Sequence, residues 1–180
     1  GRKQKPHTLF IGCADSRIVP NLITKTLPGE LFVVRNVANI VPPYDPDSGR
    51  HGVSSAIEFA VVNLKVSSVI VLGHRQCGGI RALLFPEETK AGGFVQKWMK
   101  ILEPAKERAL AKCDHKDHEG LWHQCELEGI RTSIENLKSF PFVEQAIKER
   151  DLAILGVYFD LEKGELLELN ENDGSYSTIV

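Results

Sequence analysis

Two short clusters far apart in the chain carry residue types that bind metals and move protons: Cys13-Ala14-Asp15-Ser16-Arg17 and His74-Arg75-Gln76-Cys77. Two soft sulfur ligands and one imidazole form a donor set that zinc selects, and three protein ligands leave one position open for chemistry. Asp15, two residues from the first thiol, has two roles open to it. It can take the fourth position on a metal and close the site. It can instead pair with Arg17, whose planar fork suits a carboxylate, and accept a hydrogen bond from a metal-bound water. The bland readings are that Cys13 and Cys77 are small buried hydrophobes, and that Asp15 and Arg17 form a surface ion pair worth under about 1 kcal/mol.

Each cluster ends an apolar run. Leu9-Phe10-Ile11 leads into the first, and Val69-Ile70-Val71-Leu72 into the second. If these are neighbouring parallel strands, both clusters sit at the carboxyl edge of one sheet, where open α/β folds build their sites. The long separation leaves room for a crossover, and right-handed βαβ connections keep successive strand ends on one side. Glycines at 73, 78 and 79 let the backbone turn there. Cys13, His74 and Cys77 then converge on one ion.

The rest of the chain supplies the scaffold. Residues 8–12, 31–35, 66–72 and 152–159 read as strands, and 166–169 as an antiparallel edge partner after a turn at 162–165. Helical spacing or helix-start signals mark 20–26, 51–64, 78–84, 94–111 (broken at Pro104), 119–137 and 141–149. Strands alternating with helices imply an α/β fold. The expected architecture is a mostly parallel central sheet of four parallel strands plus an antiparallel edge strand, flanked by helices, in one domain over residues 1–180.

Composition excludes several classes. The 180 residues carry 42% hydrophobic and 26% charged side chains, with a net charge of -2 and a pI near 6.3. Such a balance does not point to nucleic acid or an anionic membrane as partner, and no apolar run approaches the roughly 20 residues that span a bilayer. No secretory signal is visible, and four cysteines in a core-rich chain suit a reducing compartment. The expected location is cytoplasmic, although Gly1 in place of Met leaves room for a removed targeting segment and an organellar location. Cys113, His115, His118, His123 and Cys125 form a second metal-like cluster. The charged Asp114, Lys116, Asp117 and Glu119 around them read instead as a solvated helix start. His51, at a helix start, is a candidate proton relay.

Cys-Ala-Asp-Ser-Arg followed by Gly-His-Arg-Gln-Cys-Gly-Gly resembles the β-class carbonic anhydrases. The likeness continues in Pro28-Gly29-Glu30-Leu31-Phe32-Val33-Val34-Arg35-Asn36-Val37-Ala38-Asn39, in residues 52–62, and in Tyr158-Phe159-Asp160 with Gly164-Glu165-Leu166. It implies zinc held by Cys13, His74 and Cys77, with Asp15 and Arg17 as a catalytic dyad. Asp15 can alternatively serve as the fourth ligand in a closed state. It implies reversible hydration of carbon dioxide to bicarbonate, with Gln4, Phe32, Val37, Phe59 and Gly78 lining a small pocket. It further implies a homodimer or tetramer with pockets at the subunit interface. Gln4 is then a donor to the oxygen that becomes charged.

The chain departs from the family pattern in places. Position 75 is Arg where a small hydroxyl residue or Tyr is commoner, and position 59 is Phe where plant-type members carry Tyr. Only residues 1–7 precede the first strand, where the family usually carries helices that embrace the partner subunit. Trp98 and Trp122 both follow the metal motif, so the Trp-bearing bicarbonate site of one subclass is not expected. Two other functions fit the same residues: a zinc hydrolase of carbon disulfide or carbonyl sulfide, and a structural-zinc interaction module with four protein ligands.

Overall fold

Four short apolar runs read as continuous hydrophobic strands and pair in parallel, the inner ones covered on both faces. In the computed structural model, which describes residues 3–47, 49–114 and 116–179, these are β1 (Thr8–Cys13), β2 (Leu31–Asn36), β3 (Ser68–His74) and β4 (Ala153–Asp160). Two antiparallel strands follow, β5 (Glu165–Leu169) and β6 (Tyr176–Thr178). The sheet order is β2-β1-β3-β4-β5-β6. One correction to the expected sheet follows: β5 is not the edge, because β6 pairs with it. Tyr176-Ser177-Thr178 is three residues long in a polar stretch, too short to show a period.

The helices are α1 (Pro20–Thr24), α2 (Gly52–Glu58), α3 (Gly78–Leu84), α4 (Pro86–Thr89), α5 (Gly93–Met99), α6 (Glu103–Lys112), α7 (His118–Lys138) and α8 (Pro141–Arg150). α5 and α6 are split by a 3₁₀ turn at Lys100–Leu102, and Pro104 opens α6 rather than kinking one long helix. α2 runs on into a π turn over Phe59–Asn63. α7 starts where Asp117 accepts from the Gly120 N–H at 2.9 Å.

Alternate strand residues feed two cores. Leu9, Ile11, Val69 and Val71 pack with Ile57, Ile130, Ile134 and Phe140 on one face. Phe10, Leu72 and Val157 pack with Ile18, Leu83, Leu102 and Ala105 on the other. The sheet and α7 approach closely: a Cβ at Gly73 would lie 2.7 Å from Ile130 Cγ1. Among the described residues, no helix is long and apolar enough to cross a membrane.

Candidate metal centre

β1 and β3 are neighbours, with Gly12 opposite Leu72. Both clusters therefore leave the sheet at one edge. Cys13 and His74 end their strands and Cys77 precedes α3. The turn between them is tight, with Gln76 left-handed at φ 57. That conformation costs a non-glycine residue about 1–2 kcal/mol.

The three donors converge. Cys13, His74 and Cys77 are buried and their ligand atoms lie within 4.8 Å of one another, the only such group among the described residues. Cys13 Sγ and Cys77 Sγ are 3.9 Å apart. His74 Nδ1 is 2.9 Å from the Arg75 carbonyl, to which it donates. That leaves the lone pair on Nε2, a buried atom with no hydrogen-bond partner. An orphaned imidazole nitrogen facing two sulfurs has the donor chemistry of a zinc site. The residues fit the metal.

Without a metal, the three donors share protons among themselves. The hydrogen bond from Cys77 brings the Cys13 thiol down to about 4 against the opposing effect of burial, with His74 adding to the lowering. The same bond, together with burial, pushes Cys77 well up. Burial works against charging His74, but the Cys13 sulfur, the Arg75 carbonyl and the Asp15 carboxylate together outweigh it and raise its pKa.

Asp15 faces this cluster, its Oδ2 3.8 Å from His74 Nε2. Arg17 holds both of its oxygens, Nε to Oδ1 at 2.9 Å and Nη2 to Oδ2 at 2.7 Å. The Arg17 backbone N–H adds a third bond to Oδ1. These bonds from Arg17 hold the Asp15 carboxyl far below the usual carboxylate range. Arg17 Nη2 also donates to the Gln76 carbonyl at 3.2 Å, tying the two clusters together. Arg35 donates to the Cys13 and Asp15 carbonyls at 2.9 and 2.7 Å.

The pocket residues divide. Val37 follows β2 and packs against the first turn of α3, where a Cβ at Gly79 would lie 2.8 Å from its Cγ1, and Gly78 directly follows the ligand Cys77. Phe32 pairs with Leu9, four residues short of the Cys13–Asn36 level, or about 13 Å down the strand. Phe59 packs on Phe32, ring centroids 5.9 Å apart. Gln4 lies in the segment before β1. One chain therefore does not bring Gln4, Phe32 and Phe59 to its own metal cluster.

Other candidates resolve simply. His51 is 2.6 Å from Asp47 Oδ1 and makes no hydrogen bond to the cluster. Cys125 is fully buried and its thiol is pushed up to about 12 by burial. His118 opens α7 as an exposed residue stacked on Phe85, and His123 bonds Tyr158; His115 lies outside the described residues. Arg75 finds its place: Nη2 is 3.1 Å from Glu119 Oε1. Its Nε is 2.9 Å from Glu162 Oε2, a contact angled away from a hydrogen bond.

Several contacts to the site have no motif to announce them. Trp122 Nε1 donates to the Cys77 carbonyl at 3.0 Å, and Glu126 accepts from the Cys77 N–H at 2.8 Å. Their spacing of four on a helix is visible in the sequence, but their target is not. Arg35 is similar, since only the register of β2 on β1 puts it beside the first cluster.

A sequence model described as carbonic anhydrase matches residues 8–166. The chain belongs to the carbonic anhydrase family. Within that family it groups with the β class. It is 38% identical over 174 residues to beta carbonic anhydrase 3 of Arabidopsis thaliana, covering 94% of this chain and 67% of that protein. It is 37% identical over 173 residues to a carbonic anhydrase of Helicobacter pylori, covering 93% of this chain and 78% of the other. The structure of the beta-carbonic anhydrase CcaA superposes with a TM-score of 0.90 at 34% identity, covering 99% of this chain and 79% of that one. A tetrameric beta-carbonic anhydrase of Sordaria macrospora gives a TM-score of 0.83 at 33% identity, over 93% of this chain and 82% of the other.

Proposed function

We propose that this chain catalyses the reversible hydration of carbon dioxide to bicarbonate and a proton, with Cys13, His74 and Cys77 as the zinc ligands. The observation that carries the reading is the unpartnered His74 Nε2 facing two sulfurs, beside an Asp15 whose oxygens are both taken by Arg17. When bound, zinc supplies a Lewis acid that lowers the pKa of a water from about 15.7 to about 7.

The chain's own residues do the rest. Arg17 keeps Asp15 ionised and engages both of its oxygens, which would leave the fourth position on a bound zinc free for chemistry. Asp15 Oδ2, at the mouth of the cluster, accepts a hydrogen bond from the attacking oxygen and so aims its lone pair at the carbon. Cys13 and Cys77 reduce the Lewis acidity that a set of three imidazoles would give, which puts more of the work on these neighbouring groups. Val37 gives one apolar wall, suited to a small apolar substrate.

The remaining wall belongs to an assembly. β2 is an edge strand with Val33 40% exposed on one face of the sheet, and Phe59 and Val62, 43% and 45% exposed, lie on the α2 extension that packs against its other face. An uncovered apolar edge of this kind invites pairing. We infer a homodimer, or a tetramer like the Sordaria relative, in which Gln4, Phe32 and Phe59 of one copy complete the pocket of another. One zinc domain per chain and four free thiols suit a reducing cytoplasm.

Metal analysis with stopped-flow hydration of carbon dioxide tests the activity. The expected result is one zinc per chain and rapid acidification, both lost in Cys77→Ser. A zinc-loaded protein that leaves the uncatalysed rate unchanged overturns the catalytic reading in favour of a structural zinc.

A further inference from the structure

The turn that carries two of the three ligands is held from behind by one face of α7. Glu119 Oε1 meets Arg75 Nη2 at 3.1 Å. Trp122 Nε1 donates to the Cys77 carbonyl at 3.0 Å, and Glu126 Oε1 accepts from the Cys77 N–H at 2.8 Å. Positions 119, 122 and 126 recur at intervals of three and four, so they form one stripe along the helix.

The two residues on Cys77 are themselves braced. The Arg81 guanidinium lies 5.2 Å from the Trp122 ring centroid, a cation–π contact. The Glu126 side chain is only 2% exposed. Its Oε2 accepts the Tyr158 O–H at 2.8 Å, and Tyr158 Oη is 3.0 Å from His123 Nδ1. Tyr158 lies on β4 opposite Gly73, the residue before His74. A buried carboxylate is costly unless hydrogen bonded, and here its bonds go to the ligand turn and to the strand beside it. The turn needs such support, because Gln76 sits in the left-handed region that its side chain disfavours.

We propose that Glu126 and Trp122 are positioning residues of the metal centre, fixing the main-chain N–H and C=O of Cys77 so that its sulfur stays aimed at Cys13 and His74. The inference rests on the ligand set proposed above. Neither side chain reaches the ligand cluster. They act through the backbone, and their effect is on how much ordering the protein must undergo when it takes up the metal.

Chelator competition for zinc and the visible spectrum of the cobalt(II)-substituted protein test it. Glu126→Gln keeps an amide oxygen for the Cys77 N–H, and its NH₂ donates to Tyr158 Oη. The expected result is that Glu126→Ala weakens zinc binding by about 10- to 100-fold and shifts the cobalt bands, while Glu126→Gln restores both towards wild type. A merely structural role would lower the melting temperature of the zinc-free protein and leave the cobalt spectrum of the folded protein unchanged. That result overturns the proposal, as does a Glu126→Gln variant as weak as Glu126→Ala, which would assign the effect to charge. If Glu126→Ala does not fold, Trp122→Phe, which removes the donor to the Cys77 carbonyl while keeping an aromatic ring, smaller than the indole, under Arg81, is read by the same two measurements. Wild-type protein that binds no zinc refutes the ligand set instead, so the two failures are distinguishable.

Discussion

Arg17 grips both oxygens of Asp15 while Asp15 Oδ2 remains 3.8 Å from His74 Nε2. The carboxylate lies beside the ligand cluster, and one side chain engages both of its oxygens. Asp15→Ala is expected to keep its zinc and lose activity by about 10²-fold or more, the usual scale for a positioned group that handles the reacting proton. Arg17→Ala should lose activity as well, for a different reason: the freed carboxylate turns towards the cluster. Zinc content with hydration rates separates these from Cys77→Ser, which loses both. A wild-type rate in Asp15→Ala removes Asp15 from the reaction.

Cys125 is a sharper control than an unrelated residue. It is a cysteine, buried, and pushed up to about 12 by burial. Cys125→Ser places a hydroxyl in an apolar site and is expected to destabilise the fold by about 1–3 kcal/mol while leaving one zinc per chain. Denaturant titration and metal analysis read the two effects. Loss of zinc from folded Cys125→Ser would show that the ligand set has been misassigned.

Much of this centre is legible in the amino-acid sequence. Leu9-Phe10-Ile11 and Val69-Ile70-Val71-Leu72 are buried parallel strands because nothing polar interrupts them, and a parallel pair must present its ends together. That logic brings Cys13, His74 and Cys77 to one place. Two kinds of information lie beyond it. The register of β2 on β1 puts Phe32 level with Leu9 and far from Cys13, and register is set by pairing partners rather than by local pattern. The supports of the Cys77 turn, Trp122 and Glu126, lie on a helix 45 and 49 residues away. Their role follows from tertiary packing, and a Glu in the middle of an amphipathic helix reads as solvated. Arg75 is opaque for the same reason, since its two carboxylates come from α7 and from the turn after β4.

Acid should loosen the joint between α6 and α7. Glu128 is buried there, with Lys112 Nζ at 2.6 Å and Arg108 Nε at 2.7 Å. Burial works to raise its pKa, but Lys112 and Arg108 outweigh it, and the net shift is downward. A carboxyl lowered in the folded state stabilises above its unfolded value of about 4.3, and loses that contribution as pH falls through the folded value. Glu128→Gln is expected to cost about 1–3 kcal/mol at pH 7, held to that range because Lys112 is half-exposed. Urea unfolding of the zinc-free proteins should show the gap narrowing below about pH 4. A gap constant from pH 7 to pH 3 would mean that the ion pairs contribute nothing.

The edge strand offers the test of the assembly. Val33 projects from β2 with 40% exposure, and a Lys there is a common device against edge-to-edge pairing. Val33→Lys is expected to give a smaller species by light scattering with its zinc intact, because Cys13, His74 and Cys77 all come from one chain. Activity should fall by about 10- to 100-fold, since the wall that holds the substrate against the reacting oxygen is lost. Zinc retained with activity lost is the signature of a pocket shared between copies. A monomeric Val33→Lys protein working at the wild-type rate would place the whole pocket within one chain, and Phe32 and Phe59 outside it.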